Sequence, residues 1–244
     1  MLSIKMFPCL MDNYGFLIHD SESGAAACID TPEPVEINAA LSEEGWSLTE
    51  IWNTHHHFDH VGGNVELAAQ HGAIIRGPAN DKKRIAGLTH GVSGGESFLF
   101  GSHEVRVIAT PGHTTSHIIY HIPSAHDGQG AAFVGDTIFV MGCGRLFEGS
   151  PADMFKSMTQ IANLPGSTKL YCAHEYTLSN GKFALTVEPE NTDMQDYIKE
   201  ATAMRDKGLP TVPTTVAREA KINPFMRAAS AERLGAIRKA KDNF

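Results

Sequence analysis

The feature that most constrains this chain is the run T-H-H-H-F-D-H-V-G-G at residues 54–63, which contains an H-x-H-x-D-H pattern. Residues 48–53 before it read as a short strand, and a helical stretch follows the two glycines. In an extended segment alternate side chains share one face, so we expect His55 and His57 to point together and His56 to point away. The run therefore predicts a turn that presents several ligand-type side chains between a strand and a helix.

This turn has the composition of a metal site. Imidazole nitrogens with a carboxylate and without a thiolate suit Zn, Fe or Mn. The candidate ligands are His55, His57, Asp59 and His60. So many ligands in so short a run exceed what one catalytic ion with an open coordination position needs. The turn therefore predicts a pair of metal ions.

Three further metal-capable side chains each follow a short apolar strand. The strands are predicted at residues 105–109, 131–134 and 169–173, and the side chains that follow them are His113, Asp136 and His174. Taken singly, each of these would be read equally well as a turn or capping residue. Because α/β sheets place their sites at the ends of strands, the joint pattern favours seven ligands that act together.

Length and charge limit the class of protein. A chain of 244 residues with 42% hydrophobic and 20% charged residues is expected to form one large domain or a domain with an appendage. The net charge of −8 and the pI near 5.9 disfavour nucleic acid as a partner, because clustered Lys and Arg bind phosphate backbones. The N-terminus lacks an apolar signal-peptide core and no run of about 18 apolar residues is present, so we expect a cytoplasmic protein without membrane contact. Four cysteines without a C-x-x-C pair are expected to be reduced thiols.

The predicted elements change in character along the chain. Strands are predicted at 3–7, 15–19 and 25–29 as a β-meander, followed by a helix at 35–44, strands at 48–53 and 73–75, and a hairpin at 96–100 and 104–109. After residue 175 no strand-like alternation remains, and helices are predicted at 179–185, 193–207 and 231–240. The pattern indicates an α/β core with a small helical part attached after the last candidate ligand.

Sequence motifs across almost the whole chain resemble those of a known family. The T-H-x-H-x-D-H turn, P-G-H-T at 111–114 and G-D-T-I-F at 135–139 recur broadly in the metallo-β-lactamase superfamily. More selective motifs are G-C-G-R-L-F-E-G at 142–149, A-H-E-Y-T at 173–177, N-P-F-M-R at 223–227 and R-K-A-K-D-N-F at 238–244. With these motifs the chain resembles glyoxalase II, the hydroxyacylglutathione hydrolases of that superfamily.

This resemblance implies both a fold and a set of ligands. The implied fold class is α/β (α+β), a four-layer αββα metallo-β-lactamase sandwich at residues 1–174 with a C-terminal helical subdomain for substrate binding at residues 175–244. The implied ligands are His55, His57 and His113 for one metal ion, Asp59, His60 and His174 for the other, and Asp136 as a bridge between the two. Zn is the expected metal, while Fe and Mn accept the same ligands.

The resemblance further implies a thioesterase. The expected reaction is hydrolysis of S-(2-hydroxyacyl)glutathione thioesters, with S-D-lactoylglutathione giving D-lactate and glutathione in methylglyoxal detoxification. A hydroxide that bridges the two metal ions would attack the thioester carbonyl. Asp59 and Asp136 are the expected catalytic carboxylates, and Asp59 would either bind metal alone or also orient the water. The partner is thus a small molecule, and a monomer is expected.

Six residues are candidates for binding the glutathione part of the substrate. They are Arg145, Phe147, His174, Tyr176, Arg238 and Lys241. Glutathione carries two carboxylates, which suit the arginines and the lysine, while the tyrosine offers a hydroxyl group. Phe147 stands where the family has Tyr or Phe and cannot donate a hydrogen bond, so its contribution is expected to be packing. Without the resemblance, Arg238 and Lys241 would be read as a solvated helix end.

Other interpretations of the same ligands stay open at this point. A β-lactamase or a single-iron glutathione persulfide dioxygenase is built on the same scaffold, but the G-C-G-R segment and the R-x-x-K-D-x-F tail disfavour both. A nucleic-acid-processing metallo-nuclease is disfavoured by the acidic charge and by the lack of a basic insertion. A non-catalytic metal-binding module would not require all seven ligands.

Overall fold

The computed structural model describes residues 1–125 and 128–244, which form two compact units. The first unit comprises residues 1–109 and 116–133, and the second comprises residues 110–115 and 134–244. Strand β10 (Ala131–Gly135), the tenth in chain order, carries the chain from the first unit into the second. The domain boundary that the sequence analysis places at residue 174 stays a prediction.

The first unit begins with a six-stranded sheet whose strands lie side by side in chain order. These strands are β1 (Leu2–Cys9), β2 (Asn13–Asp20), β3 (Ala26–Ile29), β4 (Leu48–Trp52), β5 (Ile74–Pro78) and β6 (His90–Val92). Strands β1 to β3 are antiparallel, and strands β3 to β6 are parallel. The predicted β-meander at the N-terminus is therefore confirmed.

Helices of the first unit pack on this sheet. They are α1 (Pro34–Glu44), α2 (Phe58–Val61) and α3 (Asn64–His71), with a 3₁₀ helix at Ala79–Asp81. Ile37 of α1 and Leu67 of α3 share one buried apolar cluster with Ile51 of β4. Burying such a side chain contributes roughly 1.5–3 kcal/mol. This packing anchors β4 against α1 and α3, directly before the histidine-rich turn.

A second group of strands in the first unit is antiparallel throughout. It consists of β7 (Ser97–Phe100), β8 (His103–Ala109), β9 (Ile118–Ile122) and the first three residues of β10. The predicted hairpin is confirmed, and its tight turn passes through Gly101, whose φ of 56° suits glycine. The buried indole of Trp52 lies edge-on to Phe98 and Phe100, with ring centroids 5.0 and 5.2 Å away. This aromatic cluster joins the two groups of strands within the first unit.

The second unit is mainly helical. Its strands are the end of β10, β11 (Ile138–Phe139), β12 (Gly142–Cys143), β13 (Lys169–Cys172) and β14 (Thr214–Thr215). Its helices are α4 (Pro151–Ala162), α5 (Thr177–Val187), α6 (Thr192–Arg205), α7 (Val216–Ile222) and α8 (Ala231–Asp242). The three helices predicted after residue 175 are confirmed as α5, α6 and α8, whereas α4 and α7 were not predicted. In the part of the chain that the structure describes, no helix is both long and apolar enough to cross a membrane.

Four helices of the second unit begin at locally encoded caps. The side chains of Ser150, Asn191, Thr215 and Ser230 each accept a hydrogen bond from the backbone N–H three residues later. At α4 the carboxylate of Asp153 also accepts from the Ser150 backbone N–H at 2.9 Å, which completes a capping box. The cap at Ser230 fixes the start of α8, whose side chains line the cavity described below.

Candidate active site

Four of the seven predicted ligands follow β4 within the first unit, His55 and His57 before helix α2 and Asp59 and His60 in it. The Nε2 atom of His55 lies 3.1 Å from Nδ1 of His57, so the two rings converge as the strand alternation predicts. His56 points away from them, and its Nδ1 lies 3.3 Å from a carboxylate oxygen of Asp81. The local backbone therefore separates the two candidate ligands from the histidine between them.

Asp30, directly after β3, holds this turn in place. Its carboxylate accepts hydrogen bonds from the backbone N–H and the hydroxyl group of Thr54, both at 2.8 Å. The Nδ1 atom of His60 lies 2.8 Å from the same carboxylate, and all three residues are buried. Asp30 has a φ of 56°, a left-handed conformation that aspartate tolerates better than most residues. The sequence analysis missed its role, although D-T-P after a strand marks a turn.

Asp59 is positioned by a second residue that was not predicted. Its Oδ2 atom lies 3.4 Å from Nε2 of His60 and accepts a hydrogen bond from the Asn13 side-chain amide at 3.1 Å. Asn13 is the first residue of β2, so the β1–β2 hairpin contacts the turn directly. The Asp59 side chain remains 37% exposed, which leaves its carboxylate accessible to water.

The other three predicted ligands come together within the second unit. Asp136 lies between two histidines, with Oδ2 3.4 Å from Nε2 of His113 and Oδ1 3.4 Å from Nε2 of His174. All three residues are buried. The three side chains that follow apolar strands therefore converge, although they are far apart in sequence.

Gly144 makes room for this arrangement. A Cβ atom at this position would lie 2.0 Å from the carbonyl oxygen of Asp136 and 3.0 Å from Nδ1 of His113. Because any side chain would collide, glycine is required where the backbone passes the two ligands. The next residue, Arg145, uses its carbonyl oxygen to accept a hydrogen bond from Nδ1 of His113 at 2.8 Å.

The hydrogen bonds on the ring nitrogens suit metal binding. Nδ1 of His113 donates to a carbonyl oxygen and Nδ1 of His60 donates to a carboxylate, so Nε2 carries the lone pair when either ring is neutral. His55 has its Nδ1 3.0 Å from the Thr54 hydroxyl group. Neutral imidazoles fixed in this way, together with carboxylates and without thiolates, are suitable donors for divalent ions. The residues present therefore fit the metal ions that the sequence predicts.

A cavity of about 670 Å³ lies in the second unit. Its lining includes two predicted ligands, His113 and Asp136, and five of the six predicted substrate-binding residues, namely Arg145, Phe147, Tyr176, Arg238 and Lys241. The sixth, His174, stacks its ring parallel to that of Tyr176 at a centroid separation of 4.8 Å. Lining residues that the sequence analysis did not name as site residues include Phe139, Ser179, Asn180, Asp242 and Phe244.

Three cationic side chains meet at this cavity. Arg238 is buried, and its Nη1 donates to the carbonyl oxygen of Cys143 at 2.7 Å while its Nη2 lies 3.0 Å from Oδ1 of Asp242. Lys241 donates from Nζ to a backbone carbonyl at 3.2 Å. Burial, reinforced by the charges of Arg238 and Arg145, lowers the pKa of Lys241. The cavity thus presents three cations, Arg145, Arg238 and Lys241, and the single carboxylate of Asp242 close to them. This excess of positive charge suits a ligand that carries carboxylates.

Two aromatic side chains flank the ligands of the second unit. Phe147 remains 62% exposed, and its ring lies edge-on to that of His113 with centroids 5.3 Å apart. Tyr176 lies between His174, on which it stacks, and Phe139, whose ring is edge-on to it at 5.2 Å. The exposed ring of Phe147 is thus available for the packing role that the sequence analysis gives it.

Two protein-family models together match almost the entire chain. Residues 21–174 match the metallo-beta-lactamase superfamily, and residues 175–244 match the hydroxyacylglutathione hydrolase C-terminus. The crystal structure of ETHE1 from Myxococcus xanthus is similar with a TM-score of 0.73 at 25% sequence identity, and the match covers 97% of this chain and 90% of that one. The chain therefore has the metallo-β-lactamase fold, and the predicted fold class is confirmed.

Two curated relatives are more similar in sequence. The hydroxyacylglutathione hydrolase of Maricaulis maris is 49% identical, with 100% of this chain and 99% of the relative covered. The hydroxyacylglutathione hydrolase of Brucella ovis is 48% identical, with 93% of this chain and 86% of the relative covered. The chain belongs to the hydroxyacylglutathione hydrolase family, and the family predicted from the motifs is confirmed. Its fold implies divalent metal ions, for which both units carry histidine and aspartate side chains.

Proposed function

We propose that the protein hydrolyses S-(2-hydroxyacyl)glutathione thioesters, with S-D-lactoylglutathione giving D-lactate and glutathione in the detoxification of methylglyoxal. The observation that carries this proposal is a cavity lined both by candidate metal ligands and by cations. Its lining contains His113 and Asp136 together with Arg145, Arg238 and Lys241. A glutathione thioester offers both matching features, because its carboxylates suit the cations and its thioester suits a metal-assisted hydrolysis. The names of the relatives from M. maris and B. ovis support the same reaction.

We further propose that seven side chains bind two divalent metal ions. The proposed ligands are His55, His57 and His113 for one ion, Asp59, His60 and His174 for the other, and Asp136 for both. Bound ions would lower the pKa of a water molecule, so that hydroxide is present near neutrality, and would polarise the thioester carbonyl. The separation of 3.4 Å from Asp136 to each neighbouring histidine supports its role as the shared ligand. Zn is the proposed metal, and Fe and Mn are the alternatives.

The side chains of the protein have separate tasks in this reaction. Asp59, with one oxygen held by Asn13, orients the attacking water through its carboxylate. Arg145 and Lys241 bind the carboxylates of glutathione, and Phe147 packs against the substrate. A thiolate is stable enough near neutral pH to depart without a proton, so the reaction needs no dedicated acid.

The protein is also proposed to act as a cytoplasmic monomer on a small molecule. Its net charge of −8 and pI near 5.9 oppose binding to nucleic acid, which supports this choice of partner. Light scattering on the purified protein tests the oligomeric state. We expect the monomer mass of 26.4 kDa, and a stable mass of about twice that value would contradict the proposal.

A parallel assay tests the proposed reaction. Metal-loaded protein is offered S-D-lactoylglutathione, a β-lactam and glutathione persulfide, while thioester loss, ring opening and oxygen uptake are followed. We expect rapid thioester loss and no comparable reaction of the other two compounds. Oxygen uptake or ring opening that exceeds thioester loss would assign the site to one of the competing activities.

A further inference from the structure

A short segment of the second unit contributes both of its end residues to the lining of the cavity. We call residues 139–143 the wall segment, since Phe139 and Cys143 at its ends line the cavity. Between them, Val140 and Met141 are buried, and Met141 has a φ of 56°. A methionine in the left-handed region is strained, so this backbone conformation needs support from its surroundings.

That support comes from buried side chains of the second unit. The amide of Asn180 donates to the carbonyl oxygen of Val140 at 3.1 Å. The amide of Asn223 donates to the carbonyl oxygens of Phe139 and Gly142 at 3.1 and 3.0 Å. A buried backbone group without a partner costs about as much as a lost hydrogen bond, so these amides stabilise the turn.

Glu219 on α7 completes this support. Its Oε2 atom accepts the backbone N–H of Met141 at 2.9 Å and the amide of Asn223 at 3.0 Å. Its Oε1 atom accepts the hydroxyl hydrogen of Thr214 at 2.7 Å. The side chain is completely buried, and this burial raises its pKa to about 7. Burying a carboxyl group costs free energy, whereas a leucine of similar size would avoid that cost. The hydrogen bond of Glu219 to the wall segment therefore explains why a glutamate stands at this position.

The wall segment in turn sets the position of groups that face the substrate. The ring of Phe139 lies edge-on to those of Tyr176 and His174, at 5.2 and 5.7 Å. The carbonyl oxygen of Cys143 accepts the hydrogen bond from Arg238 at 2.7 Å. A shift of the wall segment would therefore displace the contact of Phe139 with Tyr176 and the hydrogen bond of Cys143 with Arg238 at the same time.

We propose that Glu219 is a positioning residue that holds the wall segment in place and so determines affinity for the glutathione part of the substrate. This inference rests on the proposed function. Glu219 does not line the cavity, among the lining residues that the structure describes, so it acts through residues 139–143 and not by touching the substrate.

Steady-state kinetics of Glu219→Leu and Glu219→Gln, together with wild-type protein, test this role. Glu219→Leu removes the acceptor for the Met141 N–H, and we expect it to raise KM for S-D-lactoylglutathione about tenfold, the effect of one lost hydrogen bond, with kcat within about twofold. Glu219→Gln is expected to keep the KM of the wild type. Its amide oxygen can accept hydrogen bonds from Met141 and Asn223, and its amide nitrogen can donate to the hydroxyl group of Thr214.

Two further variants separate positioning from loss of folding. Ser150→Ala removes the cap of α4, which lowers stability without touching the wall segment, and it should leave KM unchanged. If Glu219→Leu does not fold, Glu219→Asp keeps the carboxyl group but withdraws it from Met141, and it should raise KM as well. An unchanged KM in Glu219→Leu, or in Glu219→Asp where Glu219→Leu does not fold, would overturn the proposal, and so would an equal rise in Ser150→Ala. Wild-type protein that fails to hydrolyse the thioester would instead contradict the proposed function itself.

Discussion

The ring of His60 donates a hydrogen bond of 2.8 Å to the carboxylate of Asp30. Asp30 directly follows β3, and His60 lies in the histidine-rich run that follows β4. The two strands, β3 and β4, are parallel neighbours in the first sheet. The same carboxylate accepts two hydrogen bonds from Thr54 at the start of the turn. One aspartate that is not itself a proposed ligand thus holds both ends of the histidine-rich turn.

Replacement of this aspartate should weaken metal binding. In Asp30→Ala the His60 ring loses the partner that fixes its orientation and its Nδ1 proton. We expect metal affinity and kcat to fall about 10- to 100-fold, as is usual for partners that orient a ligand. Metal content after dialysis against a chelator, measured by mass spectrometry, checks the first effect, and thioester hydrolysis checks the second.

Asp20→Ala is the matched control for this experiment. Asp20 is also a buried aspartate of the first unit, and it accepts hydrogen bonds from the Ser23 hydroxyl group and from two backbone N–H groups. Its loss should lower stability while metal content remains that of the wild type. Wild-type metal content in both Asp30→Ala and Asp20→Ala would show that the bond to His60 does not matter for metal binding.

Removal of Asp136 should have the largest effect of any single ligand. Because this carboxylate lies 3.4 Å from both His113 and His174, we propose that it serves both ions, so Asp136→Ala should bind less than one ion per chain. Activity should fall more than about 100-fold, beyond the effect of losing an orienting partner. Asp153→Ala, which removes only a helix-capping carboxylate, is the control. Two tightly bound ions in Asp136→Ala would contradict the shared-ligand role.

Substrate recognition by the C-terminal helix can be separated from chemistry. Lys241 lines the cavity, so Lys241→Ala should raise KM for S-D-lactoylglutathione about tenfold, roughly one charge-assisted hydrogen bond. For a small thioester without the glutathione carboxylates, KM should not change. Lys239→Ala, an exposed lysine on the same helix, should change neither value. Equal effects of Lys241→Ala on both substrates would contradict a role in binding glutathione.

Stability should depend on pH through Glu219. Burial raises its pKa from the ordinary 4.5 to about 7, so the folded protein holds this proton more tightly than the unfolded chain does. The stabilisation is fully present below about pH 4.5 and is lost as pH rises through about 7. The free energy of unfolding of wild type should therefore fall relative to Glu219→Gln by up to about 3 kcal/mol between pH 4.5 and 7.5. Urea unfolding of both proteins across this range measures the difference, and a constant difference would mean that the pKa is not raised.

Local patterns were enough to predict the orientation of His55 and His57, but not the short helix α2 (Phe58–Val61) within the histidine-rich run. Strand alternation orients His55 and His57, because both lie within one short extended stretch whose geometry depends on neighbours in sequence. The convergence of His113, Asp136 and His174 was also predictable, since each follows an apolar strand. That the seven side chains bind two metal ions stays a prediction.

The residues that support these side chains could not be predicted in the same way. Asp30 is 30 residues from His60, and Glu219 is 78 residues from Met141, so no sequence period connects either pair. Arg238 was predicted only as a substrate-binding cation, yet it also bonds to Cys143, which is 95 residues away. Such partners depend on how the elements pack, which local propensity does not specify.

Helix α4 shows a different kind of omission. Its start is marked in the sequence by the capping box that Ser150 and Asp153 form around Pro151, which favours the first turn of a helix. Buried Met154, Met158 and Ile161 follow at helical spacing. Both signals are present in the sequence, so α4 was predictable from local pattern alone.

A metal titration tests most directly whether two metal ions bound by this chain are needed to hydrolyse a glutathione thioester. Metal-free protein receives increasing amounts of Zn while hydrolysis of S-D-lactoylglutathione and bound metal are measured in the same samples. We expect activity to rise until two ions are bound per chain and then to stay constant. Full activity with a single bound ion, or two bound ions without thioester hydrolysis, would contradict this expectation.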